Sequence, residues 1–239
     1  MVPTEPTLLP FAHLDLEGRP GVVRRAAGQG PPLVLIPGCG RDHRAFDPLL
    51  DCLPGRQVVV VCLPGRAGVP GPAPAGAREA AHYVRGVLNG LGIPRAIVGG
   101  HSYGGGVAIE LALSDEQGLV AGLVLLDTGA RLRAHPDILA AAEAAALEEP
   151  AAAANLADWQ ACNAFDRIHE VARLCVPTLV VVGADDVFTP LKYSRYLAEK
   201  IAGARLVVVD GAGHEAPTTH AAEVGPVICN FLDGFDDRV

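Results

Sequence analysis

The sequence predicts an α/β fold in which a mainly parallel, doubly wound sheet is covered by helices on both faces. Short, unbroken apolar runs recur along the chain, as is typical of strands buried on both faces. These runs alternate with stretches of helical periodicity, and such alternation implies parallel strands joined by crossovers. A chain of 239 residues, 50% of them hydrophobic, can fill one large core. We therefore expect a single domain over residues 1–239.

The predicted elements follow one another in a regular order. Two loosely alternating segments, 11–17 and 21–26, predict an opening β-hairpin. Buried strands are predicted at 32–36, 58–62, 96–98, 119–126, 178–182 and 205–209. Helices are predicted at 45–53, 77–91, 107–113, 191–201 and 221–232. Because ligands of such sheets bind beyond the carboxyl ends of the strands, the residues that follow each strand are the first candidates for a site.

The alternation breaks between residues 130 and 174, where the sequence becomes alanine-rich and helical. This segment is too long for a connecting loop, so it predicts a small helical cap inserted after the sixth strand. Pro150 is expected to divide the cap into two helices. Trp159 and Phe165 are candidates for lining a substrate pocket, although at helical spacing such side chains also pack against the body of a protein.

Composition excludes several classes of function. The formal net charge is −8 and no basic cluster is evident, so neither nucleic acid nor an anionic membrane is an expected partner. No apolar run approaches the ~20 residues of a membrane helix, and the first residues do not read as a secretory leader, so we expect a cytoplasmic protein. Six cysteines without a C-x-x-C pair indicate reduced thiols. The sequence implies no metal and no organic cofactor.

One motif carries specific chemistry. Residues 100–104 read Gly-His-Ser-Tyr-Gly, a G-x-S-x-G pattern that ends a predicted strand and opens a predicted helix. Glycines two residues on either side permit strand and helix to approach closely, because a Cβ there would clash. Ser102 would then stand at the apex of a strained turn, before the amino end of the helix and the positive end of its dipole. The pattern makes Ser102 a candidate nucleophile, although a glycine-rich turn of this kind can also serve packing alone.

Two later strand ends supply partners for such a serine. Asp185 and Asp186 follow the strand at 178–182, and His214 follows the strand at 205–209. Serine is a poor nucleophile until a base removes its proton, and imidazole is the side chain whose ordinary pKa suits that task near neutrality. The chain order is thus serine, aspartate, histidine.

With these motifs, the chain from about residue 20 onward resembles the α/β-hydrolase fold serine hydrolases. The resemblance implies that Ser102 is the nucleophile, His214 the general base and Asp186 the carboxylate that orients the histidine. Asp185 stays open as the acid if the turn differs by one residue. Asp127 stays open as well, since it ends the strand after the motif, where some members of the family keep their acid.

The resemblance also implies an oxyanion hole built from two backbone amides, those of Tyr103 and Cys39. Relatives commonly read His-Gly-x where this chain reads Pro37-Gly38-Cys39, so the proline removes whatever hydrogen bond that histidine would make. The loop 63–68 matches another family pattern with Cys62 in place of the usual aspartate, and we interpret it as structural. A thiol nucleophile at Cys39 is a rival hypothesis, but no base is evident beside it in the sequence.

A serine at this position argues against the family branches that use an aspartate nucleophile, the epoxide hydrolases and haloalkane dehalogenases. The sequence therefore predicts a carboxylesterase that cleaves small-molecule esters with small to medium apolar acyl groups, through an acyl-enzyme. Cleavage of thioesters, lactones or activated diketones, and perhydrolysis, would use the same triad and oxyanion hole. These alternatives stay open, because the fold does not choose among them. A non-enzymatic ligand receptor of this fold is the other hypothesis, and multiple turnover would distinguish the two.

Overall fold

The computed structural model describes residues 8–16, 19–66, 69–149 and 152–236. Within these ranges, eight strands form one sheet in the order β1-β2-β4-β3-β5-β6-β7-β8. The strands are β1 (Leu8–Leu16), β2 (Arg19–Ala26), β3 (Gln29–Ile36), β4 (Arg56–Cys62), β5 (Ala96–His101), β6 (Val120–Leu126), β7 (Thr178–Gly183) and β8 (Arg205–Val209). The first two strands pair antiparallel, β2 pairs antiparallel with β4, and β3 to β8 run parallel.

The helices connect these strands. They are α1 (Asp47–Asp51), α2 (Ala77–Gly90), α3 (Tyr103–Leu113), α4 (Pro136–Glu148), α5 (Ala153–Ala164), α6 (Leu191–Lys200), α7 (Ala216–Thr219) and α8 (Ala221–Asp236). None of the helices in the described part of the chain is long and apolar enough to cross a membrane. The predicted α/β fold class, with its mainly parallel sheet, is confirmed.

The sheet is buried on both faces because most residues of its central strands are apolar. Alternate residues of a strand point to opposite faces. Val34 and Ile36 of β3 join a core cluster that includes residues of α2, α3 and α6. Leu33 and Leu35 join a second cluster, with residues of α1 and α8. The unbroken run at 33–36 thus fills two cores at once, which is why it shows no polar alternation.

The structure differs from the predicted elements mainly at their ends. The helix predicted at 45–53 is a 3-10 turn over His43–Phe46 followed by α1. The strand predicted at 96–98 continues through Gly99 and Gly100 to His101. Glycine generally weakens the interior of a strand. Here parallel pairing with β3 and β6 nevertheless extends β5 through both glycines. Residue 17, which ends the first predicted segment of the hairpin, lies outside the described residues.

Two helices, α4 and α5, lie between β6 and β7, inside the segment 130–174 in which the sequence predicts a cap. An isolated bridge between Arg131 and Asp166, with a 2.6 Å ion pair, joins the two ends of this insertion. Pro150, predicted to separate the helices, lies outside the described residues. The assignment of residues 1–239 to one domain stays a prediction.

Candidate active site

Ser102 occupies the tight turn between β5 and α3. Its backbone has φ 54° and ψ −122°, a combination that costs a residue other than glycine about 1–3 kcal/mol. The turn depends on close packing, because a Cβ on Gly104 would overlap the carbonyl oxygen of Ile36. Thr128 Oγ1 donates a 2.7 Å hydrogen bond to the Ser102 carbonyl oxygen. The strained conformation of Ser102 is thus stabilised by contacts from β3 and from the loop after β6.

A continuous chain of hydrogen bonds joins the three residues that the sequence selects as a triad. Ser102 Oγ lies 2.9 Å from His214 Nε2. His214 Nδ1 lies 2.9 Å from Asp186 Oδ2. The serine comes from the end of β5, the aspartate from the loop after β7 and the histidine from the loop after β8. Such a chain can carry a proton from the serine hydroxyl to the imidazole while the carboxylate stabilises the imidazolium.

The Asp186 carboxylate is held by its own loop as well as by His214. Oδ1 accepts hydrogen bonds from the backbone amides of Phe188 and Thr189, at 2.8 and 2.9 Å. Thr189 Oγ1 donates to Oδ2 at 2.7 Å. Burial alone would raise the pKa of Asp186, but the hydrogen bond and charge of His214, together with Thr189, outweigh burial and lower this pKa to about 2. The carboxylate is therefore ionised at neutral pH.

The two other candidate acids take different places. The side chain of Asp185 is exposed, while its backbone amide donates a 2.8 Å hydrogen bond to the Ala212 carbonyl oxygen. Asp127 is fully buried, but its oxygens accept the backbone amides of Gly183 and Ala216, at 2.8 and 3.1 Å. The structure thus brings Asp186, rather than Asp185 or Asp127, to the His214 ring.

His101, the residue before Ser102, is buried beside the turn. It is 5% exposed, and its Nε2 lies 2.6 Å from the backbone carbonyl oxygen of His214. Burial, reinforced by the nearby His214, lowers the pKa of His101 to about 4. A neutral ring must carry its proton on Nε2 to donate this bond. His101 therefore supports the backbone of His214 and does not touch the serine hydroxyl in this chain of hydrogen bonds.

Both predicted oxyanion donors lie next to Ser102. Tyr103 is the first residue of α3, and the first amides of a helix have no acceptor within the helix. On the opposite side, a Cβ on Gly38 would stand 3.2 Å from Ser102 Cβ, so the loop that carries Cys39 runs past the serine. The arrangement is compatible with two amides facing the acyl oxygen; their role stays a prediction.

The thiol of Cys39 is not placed as a nucleophile. Its Sγ donates to the backbone carbonyl oxygen of Asp158 at 3.6 Å. Burial raises the pKa of Cys39 well above its usual value, and the neighbouring Cys162 adds to the effect. A thiol that stays protonated is a weak nucleophile, which argues against the rival hypothesis.

A small cavity of about 20 Å³ lies against Ser102 and His214, with room for about one water molecule. Trp159 lines this cavity, as do Leu132, Ile138 and Phe188. Phe165 does not line it: this ring is 3% exposed and packs in the core, where a Cβ on Gly106 would stand 3.2 Å from its edge. The structure therefore corrects the expectation for Phe165, whose position after α5 points it into the body.

Sequence reasoning missed several residues that support the site, namely Thr128, Thr189 and Asp158. Thr189 follows Asp186 by three residues, a spacing at which a hydroxyl and an amide can both reach the carboxylate. That spacing was a usable signal. Asp158 gave no signal, because its partners in the loops after β3 and β4 are distant in sequence. Within the described residues, no three His, Cys, Asp or Glu side chains gather as a metal site requires.

Comparison with known families agrees with this geometry. The model of an alpha/beta hydrolase family matches residues 33–169, more than half of the chain. A second model, described as a TAP-like protein, matches residues 147–234.

Three curated relatives illustrate the range of similarity. The polyketide synthase ThaQ of Burkholderia thailandensis is 30% identical over 92% of this chain, which spans only 12% of the length of that relative. The putative carbamate hydrolase RutD of Pseudomonas savastanoi pv. phaseolicola is 29% identical over 85% of this chain and 94% of its own. A pimeloyl-[acyl-carrier protein] methyl ester esterase of Neisseria meningitidis is 29% identical over 85% of this chain and 77% of its own.

A solved structure of a thermophilic esterase is also similar. It superimposes with a TM-score of 0.82, is 27% identical, and the match covers 95% of this chain and 98% of the esterase.

Proposed function

Because the chain belongs to the alpha/beta hydrolase family, we propose that it is a serine carboxylesterase that hydrolyses esters with small to medium apolar acyl groups. The observation that carries the proposal is the unbroken series of 2.9 Å hydrogen bonds from Ser102 through His214 to Asp186. The similarity to a methyl ester esterase and to a thermophilic esterase supports an ester as the substrate.

In the proposed reaction, Ser102 Oγ attacks the ester carbonyl carbon while His214 Nε2 accepts the hydroxyl proton. The negative charge that forms on the carbonyl oxygen is stabilised by the amides of Cys39 and Tyr103. The imidazolium then donates its proton to the leaving alcohol, and an acyl-enzyme remains on Ser102. Water, deprotonated by the same imidazole, releases the acid and restores the serine.

The lining of the cavity favours an uncharged acyl group. Arg133 is the cation beside the cavity, but its Nη1 donates to the carbonyl oxygens of Leu132, Asn163 and Phe165. Its Nη2 also lies 3.5 Å from Asp166 Oδ2. The guanidinium is thus partly engaged within the protein, whereas Trp159 and Ile138 present apolar surface to the cavity.

Carbamate hydrolysis is a second candidate, favoured by the similarity to relatives described as putative carbamate hydrolases. The same nucleophile and amides would act on a carbamate carbonyl. An anionic carbamate would require a free cation at the cavity, so an uncharged carbamate ester is the form that these side chains suit.

The test is hydrolysis of p-nitrophenyl esters from acetate to dodecanoate by the wild-type protein, with Ser102→Ala as the blank and a p-nitrophenyl N-alkylcarbamate in parallel. We expect serine-dependent multiple turnover that is fastest on the shorter esters, because the cavity is small. Faster turnover of the carbamate would favour the second candidate. A single acylation without release would favour a receptor, and no reaction with either class would contradict the proposal.

A variant of Trp159 tests whether this side chain limits the length of the acyl group. Trp159 and Ile138 line both the cavity at Ser102 and a groove of about 370 Å³ between α4 and α5, whose wall includes Ala141, Ala142 and Ala145. Trp159→Ala should join the two spaces and shift the preferred ester toward longer chains. Leu147→Ala is the matched control, since Leu147 lies on α4 and is 88% exposed. An unchanged preference in Trp159→Ala would show that the acyl group lies elsewhere.

A further inference from the structure

Asp158 of α5 forms hydrogen bonds with two loops of the sheet, the loop after β3 and the loop after β4. Its Oδ2 accepts a 2.9 Å hydrogen bond from the backbone amide of Gly40. Its Oδ1 accepts a hydrogen bond from Arg66 Nη2, in the loop after β4. Its backbone carbonyl oxygen accepts the Cys39 thiol at 3.6 Å. One buried residue of α5 therefore binds the two consecutive residues that follow Gly38 in the loop past Ser102.

The loop and α5 are also in direct steric contact. Gly40 has φ +63°, in the left-handed region that favours glycine, and a Cβ there would overlap the Asn155 side chain of α5. The backbone of Gly40 thus lies close to the Asn155 side chain, one turn before Asp158. Asn155 and Asp158, two residues of α5, both contact this loop.

The charge of Asp158 is balanced inside the protein. The Asp158 side chain is 1% exposed and that of Arg66 is 10% exposed, so each charge depends on the other. Burial raises the pKa of Asp158, while the Arg66 charge and the Gly40 amide act in the opposite direction. Because one oxygen of this carboxylate is paired with Arg66, the other can accept a backbone amide without leaving an unpaired charge.

We propose that Asp158 is a positioning residue for the oxyanion hole, which holds the Gly40 amide and thereby aims the Cys39 amide at the reacting carbonyl oxygen. This inference rests on the proposed esterase function. The peptide unit of Gly40 follows the Cys39 Cα, so its hydrogen bond to Asp158, together with that of the Cys39 thiol, holds Cys39 at two points and limits rotation of its amide.

The test uses two double variants of equal charge, Arg66→Met with Asp158→Asn and Arg66→Met with Asp158→Leu. Both remove the buried ion pair, and asparagine and leucine have similar size, so the pair differs in whether residue 158 can accept the Gly40 amide. We expect the asparagine variant to keep kcat for p-nitrophenyl acetate within about fivefold of wild type. The leucine variant should lose kcat by about 10- to 100-fold with KM changed less than about threefold. Its affinity for a trifluoromethyl ketone, which forms a tetrahedral adduct on serine, should fall by the same factor.

A readout without catalysis separates this inference from the proposed function. Amide hydrogen exchange of the peptide that spans residues 37–41 should be faster in the leucine variant than in the asparagine variant. Equal kcat, ketone affinity and exchange in the two folded variants would overturn the positioning role. If the wild-type protein hydrolyses no ester, the proposed function fails, while a difference in exchange would still support Asp158 as the residue that holds the loop. Thermal melts establish that both variants are folded at the assay temperature.

Discussion

Two buried carboxylates at neighbouring strand ends have pKa values shifted in opposite directions. Asp127 follows β6 and is 0% exposed; Asp186 follows β7 and is 5% exposed. Burial is the largest influence on both, yet the pKa of Asp127 is raised to about 7 and that of Asp186 is lowered to about 2. At Asp127 burial, reinforced by the nearby charge of Asp186, outweighs its two amide donors, whereas at Asp186 the donors outweigh burial.

Asp186 faces donors that favour its charge, namely the His214 ring and the Thr189 hydroxyl. Asp127 faces two backbone amides and the neutral ring of His101, whose Nε2 lies 3.9 Å from Oδ2. Those amides belong to Gly183, which precedes the acid loop, and to Ala216, which follows His214. Asp127 thus ties together the two loops that carry the partners of Ser102. Depth and strand position do not identify a catalytic acid; the partners of its oxygens do.

The largest expected effect is on turnover in Asp186→Asn. The asparagine amide would donate to His214 Nδ1 and leave the proton on Nε2, where the ring can no longer accept the proton of Ser102. We expect kcat for the best p-nitrophenyl ester to fall by roughly 10³–10⁴-fold, as for the corresponding change in a serine protease. Circular dichroism at the assay temperature is the control for folding. A loss below tenfold would move the acid role to Asp127.

Asp127→Ala should show the reverse pattern. It leaves the buried amides of Gly183 and Ala216 without an acceptor, at a cost of about 2–4 kcal/mol in the free energy of unfolding. Because Asp127 makes no hydrogen bond to the His214 ring, kcat of the folded variant should change only a few-fold. Urea unfolding and initial rates on the same sample measure both effects. A loss of kcat that matches Asp186→Asn would remove the distinction between the two residues.

The contributions of Asp186 and Asp127 to stability should change with pH in opposite directions. The pKa of Asp186 is lowered, so its contribution to stability is present above the ordinary value of about 3.9 and is lost as pH falls through about 2, a change of about 2–3 kcal/mol. The stability difference between wild type and Asp186→Asn should therefore shrink between pH 4 and pH 2.

The raised pKa of Asp127 acts in the other direction. The native protein holds this proton more tightly than the unfolded chain does, so the contribution of Asp127 to stability falls as pH rises from about 4 to about 7. The difference between wild type and Asp127→Ala should accordingly decrease over that window in urea unfolding. Stability differences that change with pH in the same direction for both residues would contradict the contrast.

The smallest effect is expected for Thr189→Val, which removes one donor to Asp186 and keeps the shape of the side chain. A single hydrogen bond to a charged group is worth about 1.5–3 kcal/mol, so kcat/KM should fall about 10- to 160-fold. Thr219→Val is the matched control, because its hydroxyl bonds to the Glu215 carbonyl oxygen on the exposed side of α7. An equal loss in both variants would indicate a general effect on the fold.

Much of the architecture could be predicted because its signals are local. Unbroken apolar runs such as 33–36 and 58–62 mark strands buried on both faces. The element ends were less predictable: β5 runs on through two glycines because its neighbours supply pairing partners, which no window of sequence contains.

The sequence by itself determined the order of strands and helices, the serine turn, and the short list of polar residues at strand ends. Those features depend on backbone propensity, apolar period and glycine positions, which are properties of neighbouring residues. Only the tertiary structure placed Asp186, rather than Asp127 or Asp185, against the His214 ring, buried Phe165 in the core, and joined Asp158 to Gly40 and Arg66. Hydrogen bonds between residues 28 to 118 positions apart exist only once strands and loops have been brought together, because their geometry depends on packing and not on spacing along the chain.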